Sequence, residues 1–360
     1  MKIDFSAADH LMRRAVASRV FPGAVLLVAC KGTVVLHQAY GMADLFTARP
    51  MTRETVFDLA SLTKPLATTL ATMMLVQQGR LDLDRPACDY WAPIKGQGRE
   101  RITVRHLLSH RSGLPAWRPY HLLFRNLSPE TCQRRFQEAI SAESLSAAPG
   151  ERSEYSDVGF WVLQWIVEQV AQLPMDRLVE DAIYGPLSVR PLFFNRAGRQ
   201  APFPYAATEL CPLRGRLLIG EVHDDNAHAL GGVAGHAGLF GNAAAVGTLL
   251  QELLLAAGGQ LAHPLFDRDC LRGFFERQAN SRWCLGFDTP AESGSSAGHS
   301  FEAGSVGHLG YTGTSFWMDR VRETIVILLS NRVHPCRYNI AIKAFRPHLH
   351  DAVMTALFTA

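Results

Sequence analysis

Ser61 and Lys64 are the pair of residues whose types and spacing most directly suggest chemistry. A serine hydroxyl is a weak nucleophile that needs a base, and a lysine can act as that base where burial disfavours its charge. Pro65 follows, and proline is tolerated only in the first turn of a helix. A helix is therefore predicted to begin near Ser61, with Ser61 and Lys64 on one face. Its free N–H groups could stabilise an oxyanion during acyl transfer.

The Ser-x-x-Lys spacing alone is a weak signal, because a pattern of two fixed residues also arises by chance. The composition gives it some weight. Only five of the 36 basic residues are lysine, and lysine, unlike arginine, can release its proton inside a protein. Companion motifs are needed to support the interpretation.

Two companion motifs follow in the order that a known superfamily shows. Tyr155-Ser156-Asp157 precedes a helix predicted near Phe160, and His308-Leu309-Gly310 lies on a predicted strand. With the Ser61 motif, they resemble the β-lactamase and penicillin-binding-protein superfamily, specifically its class C-like serine hydrolases and their DD-peptidase and esterase relatives. Segments 107–114, 231–240 and 310–317 agree, so the resemblance extends from about residue 21 to residue 332.

The resemblance implies a role for each catalytic residue. Ser61 would form an acyl-enzyme, while Lys64 and Tyr155 would share the transfer of protons. The oxyanion hole would consist of the backbone N–H groups of Ser61 and Tyr311. No cofactor and no metal are expected for this chemistry.

Two positions depart from the usual motifs of the superfamily. Asp157 stands where asparagine is usual, and a carboxylate beside Lys64 would raise the pKa of that lysine and shift the work of the base to Tyr155. Alternatively, Asp157 turns away and caps the next helix. His308 stands where lysine is usual, and neutral histidine would bind a substrate carboxylate more weakly. His308 and Gly310 are still expected to line the strand along which substrate lies, unless His308 is packed into the sheet.

A polar stretch before a long apolar helix carries His223, Asp224, His228 and His236. Histidines and carboxylates can hold zinc, but this spacing matches no metal signature, so a polar loop with satisfied side chains is favoured. The resemblance implies that the stretch forms one wall of the site. His236, like Asp157, is therefore expected to contact substrate.

Predicted strands lie near both ends of the chain, and predicted helices lie between them. Apolar runs at 23–29 and 33–40 predict a hairpin, and 306–311, 315–319 and 324–330 predict three more strands. This order indicates an α+β fold, in which an antiparallel sheet flanked by helices receives a mainly helical insertion. Residues 1–75 and 225–360 are expected to form the sheet domain and 76–224 the helical domain, with the active site between them. Segments 191–212 and 291–305 are predicted loops.

Composition narrows the classes of partner. The net charge is only +3 and the basic residues are scattered, which does not favour nucleic acid. No apolar stretch reaches transmembrane length, and the first residues resemble an amphipathic helix rather than a signal peptide. Seven cysteines without a C-x-x-C pair are typical of reduced thiols. We therefore expect a cytoplasmic monomer that acts on a small molecule or a peptide.

Three hypotheses for function follow. The first is a serine hydrolase that forms an acyl-enzyme with a small ester, an amide, a β-lactam or a peptidoglycan-derived peptide. The second, motivated by Asp157 and His308, is a catalytically weak or inactive binding protein on the same fold. The third is a metal-dependent hydrolase that uses the histidine-rich stretch.

Overall fold

A computed structural model describes residues 3–124, 126–196, 202–261, 264–279 and 281–358. The helices are α1 (Ser6–Ala17), α2 (Leu70–Gln77), α3 (Val104–Leu108), α4 (Tyr120–Leu123), α5 (Pro129–Ala142), α6 (Asp157–Ala171), α7 (Met175–Val179), α8 (Asp225–Ala229), α9 (Ala243–Gly258), α10 (Arg268–Phe274) and α11 (Ile342–Phe358). The strands are β1 (Gly23–Cys30), β2 (Thr33–Asp44), β3 (Arg49–Pro50), β4 (Phe57–Asp58), β5 (Leu192–Phe194), β6 (Ala207–Cys211), β7 (Arg216–Ile219), β8 (Leu239–Gly241), β9 (Val306–Leu309), β10 (Ser315–Asp319) and β11 (Thr324–Ser330).

The main sheet joins strands from the two ends of the chain. Its six strands run in the order β3-β2-β1-β11-β10-β9, and every neighbouring pair is antiparallel. The central pair β1 and β11 is in register from Ala24 opposite Ser330 to Cys30 opposite Thr324. The predicted α+β class with an antiparallel sheet is therefore confirmed.

Helices cover both faces of this sheet, which explains why β1 is apolar along its whole length. Leu26 and Val28 pack with α1 and α11 in one core. On the opposite face, Gly247 of α9 lies against Leu27 and Ile327. A strand buried on both sides shows a continuous apolar run rather than an alternating one. The sheet is therefore an inner layer of the fold, with β9 at one edge.

The middle of the chain is mostly helical, from α3 to α7. The prediction of a loop over 191–212 is wrong where β5 and β6 lie within it, and its residues 197–201 lie outside the described residues. β5 pairs with β8, which places Phe193 opposite Phe240. Strands this short are extended because they pair with a distant strand. The local sequence, which is rich in proline and arginine, does not show that pairing. The predicted loop over 291–305 contains no helix or strand.

The domain boundaries stay a prediction. Within the described ranges, no helix combines the length and apolarity needed to cross a membrane.

Candidate active site

Ser61 lies in a sharp turn at the end of β4. A 3₁₀ turn over Ala60–Leu62 leads into π-helical residues Lys64–Thr69 and then into α2, so the helical segment begins where Pro65 predicts. Ala60 has a left-handed backbone with a φ of +47°, which a residue other than glycine adopts at a cost. Asp58 stabilises it, because its Oδ1 accepts the Ala60 N–H at 2.8 Å. The backbone is thus held in a strained bend that presents the Ser61 side chain.

Lys64 is fully buried beside Ser61. Its Nζ donates to three acceptors: Ser61 Oγ at 3.1 Å, Asp157 Oδ1 at 2.7 Å and the His236 carbonyl oxygen at 3.3 Å. Three acceptors satisfy the three protons of an ammonium group. Burial alone would lower the pKa of Lys64, but Asp157 and Tyr155 outweigh it, and the pKa is raised. Lys64 is therefore a cation at neutral pH rather than a free base.

The Tyr155 phenol completes this arrangement. Lys64 Nζ lies 4.7 Å from the centre of the Tyr155 ring, and both Lys64 and the Ser61 hydroxyl favour the phenolate form of Tyr155. Burial raises the pKa of Tyr155, and the Lys64 charge opposes that rise without cancelling it. The phenol is therefore mostly protonated at neutral pH, beside a cation that stabilises its phenolate.

His110 fixes the segment that carries Tyr155 and Asp157. Its Nδ1 accepts the Ser156 N–H at 3.1 Å, and its ring lies 4.6 Å from the Tyr155 ring. Ser156 Oγ accepts the Gly159 N–H at 3.0 Å and so caps α6. The alternative in which Asp157 caps this helix is thus wrong, and Asp157 faces Lys64. The sequence alone indicates no role for His110, although this residue lies in segment 107–114, which is part of the resemblance.

His308 is buried in the sheet rather than exposed along the cleft. Its side chain is 2% exposed, and Nδ1–H donates to the Leu309 carbonyl at 2.9 Å. Burial and the Lys64 charge lower the pKa of His308 to about 3. Its ring lies 6.1 Å from that of Tyr155 and 5.9 Å from that of Trp283. His308 therefore supplies no positive charge, and its ring lies near that of Tyr155.

The turn between β9 and β10 is attached to the chain just before Ser61. Thr312 Oγ1 donates to the Asp58 carbonyl at 2.8 Å, and Thr314 Oγ1 donates to the Leu59 carbonyl at 3.0 Å. A Cβ atom on Gly310 would lie 2.0 Å from Thr314 Oγ1, so this close approach requires glycine. The oxyanion hole remains a prediction, but no described residue accepts the backbone N–H of Ser61 or of Tyr311.

These groups surround a cleft of about 350 Å³. Its lining includes Ser61, Tyr155, Asp157, Tyr311, Trp117, His121, Ala237, Arg337 and residues 223–226. The polar stretch thus forms one wall. The His236 side chain, however, is 1% exposed and lies behind that wall, where Trp161 Nε1–H donates to its Nδ1 at 2.7 Å. Only the carbonyl of His236 reaches Lys64. The His236 ring does not line the cleft, so the structure does not place it where the predicted contact with substrate requires it.

The other histidines of the stretch have partners of their own. His223 Nε2 lies 3.1 Å from Glu209 Oε2, and His228 Nδ1 lies 3.2 Å from Glu221 Oε1. Across the described ranges, no three histidine, cysteine or acidic side chains are placed to hold a metal ion. The histidine-rich stretch is thus a polar wall in which the histidine rings lie beside carboxylates.

Comparisons with known proteins agree with this geometry. A model of the family described as Beta-lactamase matches residues 8–346. The chain is 31% identical to an N-acetylmuramyl-L-alanine amidase of Bacillus subtilis, over 91% of this chain and 80% of the relative. It is also 31% identical to a Salmonella paratyphi A protein that carries the provisional name D-alanyl-D-alanine carboxypeptidase, over 87% and 79% of the two chains.

A solved structure shows the same fold at lower identity. EstCE1, described as a hydrolase with promiscuous acyltransferase activity, superposes with a TM-score of 0.77 at 23% identity, over 97% of both chains. The family match spans nearly the whole sequence, and Ser61, Tyr155 and Asp157 of the first two motifs line one cleft. The chain belongs to the Beta-lactamase family.

Proposed function

We propose that this protein is a serine hydrolase in which Ser61 forms a covalent acyl-enzyme. The observation that carries the proposal is the convergence of Ser61 Oγ and Asp157 Oδ1 on Lys64 Nζ, at 3.1 Å and 2.7 Å, beside the Tyr155 phenol. These groups come from two distant stretches of chain and surround one cleft. A nucleophile within hydrogen-bonding distance of its proton-transfer partners is the signature of nucleophilic catalysis.

Proton transfer is assigned mainly to Tyr155. Because Asp157 keeps Lys64 charged, the ammonium stabilises the minor phenolate form of Tyr155, which arises when the phenol releases its proton to solvent. This phenolate takes the Ser61 proton as Oγ bonds to the carbonyl carbon. The oxyanion would be stabilised by the N–H groups of Ser61 and Tyr311. The phenol then protonates the leaving group as its bond to carbon breaks. Water then attacks the ester carbon of the acyl-enzyme. Tyr155 takes a proton from this water and returns it to Ser61 Oγ as the ester bond breaks.

The substrate class follows from the charges of the site. His308 is neutral and buried, so His308 in β9 offers no cation for a β-lactam carboxylate. Small esters and amides, including peptidoglycan-derived peptides, therefore suit the cleft better than β-lactams. The names of the curated relatives, an amidase and a carboxypeptidase, support amide hydrolysis. A cytoplasmic location and a monomeric state stay predictions.

Covalent labelling tests this proposal directly. A fluorophosphonate probe and p-nitrophenyl acetate are given to the wild type and to Ser61→Ala, with intact-mass detection of adducts. We expect adduct formation and turnover in the wild type and neither in Ser61→Ala. Ser141→Ala in α5, outside the cleft lining, is the matched control and should keep both. Adducts that persist in Ser61→Ala would refute the assignment of the nucleophile.

A second candidate function is a binding protein with little turnover. It is favoured by one observation: the Lys64 ammonium already has three acceptors, so no free amine is present at neutral pH. It predicts that the wild type gives no burst and no turnover with activated esters, even at alkaline pH. Turnover that depends on Ser61 would exclude it.

A further inference from the structure

Asp224 presents an unpaired carboxylate oxygen to the same cleft as Ser61. Its Oδ1 accepts the Ala227 N–H at 2.8 Å and the His236 Nε2–H at 3.0 Å. Among the residues described, none donates to Oδ2, and the side chain is 30% exposed. The two bonds to Oδ1 fix the carboxylate group, so Oδ2 is held in position on the cleft wall.

The histidine that contacts Asp224 is uncharged. An indole N–H can only donate, so the bond from Trp161 Nε1 at 2.7 Å requires a lone pair on His236 Nδ1. The His236 proton must therefore be on Nε2, which donates to Asp224. Asp224 is thus an anion held by two neutral donors.

The other carboxylates around the cleft differ, because each has a cation. Asp157 pairs with Lys64 at 2.7 Å, and Asp225 pairs with Arg214 at 2.9 Å. Arg337, which also lines the cleft, is held by Glu209. Arg214 approaches Asp224 only at its backbone carbonyl, at 3.4 Å. Of the carboxylates that line the described cleft, Asp224 is the one whose charge lacks a cationic partner.

We propose that Asp224 binds an ammonium group of the substrate, so that the hydrolase proposed above acts on esters or amides that carry a free amine. The reaction in this inference is the one proposed above, so that part rests on the proposed function. Binding of the ammonium group does not depend on it. A fixed anion in a confined cleft recognises a cation better than a neutral donor, since an opposite charge offsets the desolvation of the anion more fully than a neutral donor does. The cleft of about 350 Å³ has room for a small aminoacyl group.

The test compares each substrate with its N-acetylated form. We would measure kcat/KM for D- and L-alanine p-nitroanilide and for the N-acetyl derivatives, in the wild type, Asp224→Asn and Asp225→Asn. Asparagine at 224 keeps an oxygen for Ala227 and His236 but replaces the free oxygen with an NH₂ donor. We expect the preference for the free amine to fall about tenfold in Asp224→Asn, as for a partly buried ion pair. It should change less than about threefold in Asp225→Asn, whose carboxylate already has partners.

Binding to an inactive variant separates this inference from the proposed function. Calorimetry with D- or L-alanine p-nitroanilide on Ser61→Ala should show affinity that adding Asp224→Asn weakens about tenfold, whether or not the wild type turns over any substrate. An absence of turnover with intact binding would refute the hydrolase and leave the ammonium site standing. Equal losses for free-amine and N-acetyl ligands, or no loss, would overturn the role of Asp224. Equal losses would instead indicate a hydrogen-bonding or purely structural role.

Discussion

Replacing Asp157 with asparagine is the sharpest test of how Lys64 is charged. At an effective dielectric constant of about 20, two unit charges 2.7 Å apart attract by about 6 kcal/mol before desolvation. Breaking a buried pair typically costs roughly 3 to 5 kcal/mol, and the asparagine oxygen can keep a hydrogen bond worth about 1 kcal/mol. Lys64 can also lose its proton, which costs about 5 kcal/mol at pH 7 for an ordinary lysine. We therefore expect a loss of roughly 2 to 4 kcal/mol in the free energy of unfolding.

The sign of the pH dependence follows from the direction of the Lys64 pKa. In the wild type it is raised, so the stability contributed by Lys64 is complete below the unfolded pKa of about 10.4 and is lost as pH rises through the folded value. Without Asp157, burial dominates and the pKa falls below 10.4. The variant then binds fewer protons folded than unfolded and regains stability as pH rises. The difference between the two proteins should shrink from about pH 7 to pH 10.

Activity should move in the same direction. With its pKa lowered, Lys64 becomes available as a base, and the pKa of Tyr155 also loses the raising influence of Asp157. The rising limb of kcat/KM for p-nitrophenyl acetate should shift at least about one unit toward lower pH. The assays are urea unfolding and pH–rate profiles, with Asp181→Asn, an exposed residue outside the cleft lining, as the control. A limb that stays in place or moves to higher pH would refute the view that Asp157 keeps Lys64 charged.

Three further variants probe the supports of the site. Gly310→Ala places a Cβ 2.0 Å from Thr314 Oγ1 and should lower kcat about a hundredfold by displacing an oxyanion donor, whereas Gly273→Ala, with no atom within 4 Å, should retain kcat. Ser156→Ala removes the cap of α6 and should cost about 1 kcal/mol in urea unfolding; no loss would mean that the cap contributes nothing. Because the pKa of His308 is lowered to about 3, the folded wild type resists its protonation and loses stability between about pH 6.5 and pH 3. His308→Gln should make this loss shallower, and equal slopes in the two proteins would contradict the burial of a neutral imidazole.

The features that local sequence determines were predictable. Pro65 placed the start of the helical segment, and apolar runs placed β1, β2 and the three strands near the end of the chain. The fold class followed because these strands had to share one sheet. The three-residue β5 was missed, since its only reason to be extended is pairing with β8, and a local pattern carries no record of a distant partner.

The orientation of individual side chains was less accessible. Both positions of Asp157 were reasonable, and the choice depended on Ser156 acting as the cap. The burial of the His236 ring depends on a bond from Trp161, 75 residues away along the chain. Asp58 was not singled out, because it acts through contacts with Ala60 and with the His223 N–H, 165 residues distant. Such roles follow from the packing of distant segments, which spacing in one sequence does not encode.

The two threonine bonds from the β9–β10 turn attach one set of catalytic groups to each other but not to Tyr155. Thr312 and Thr314 make the Tyr311 N–H and the Ser61 backbone parts of one piece. Tyr155 belongs to a different segment, which the hydrogen bond from the Ser156 N–H to His110 holds in place. A displacement of the segment that carries Tyr155 would change the distance over which the Ser61 proton moves, whereas the two threonine bonds would keep the spacing between the N–H groups of Ser61 and Tyr311.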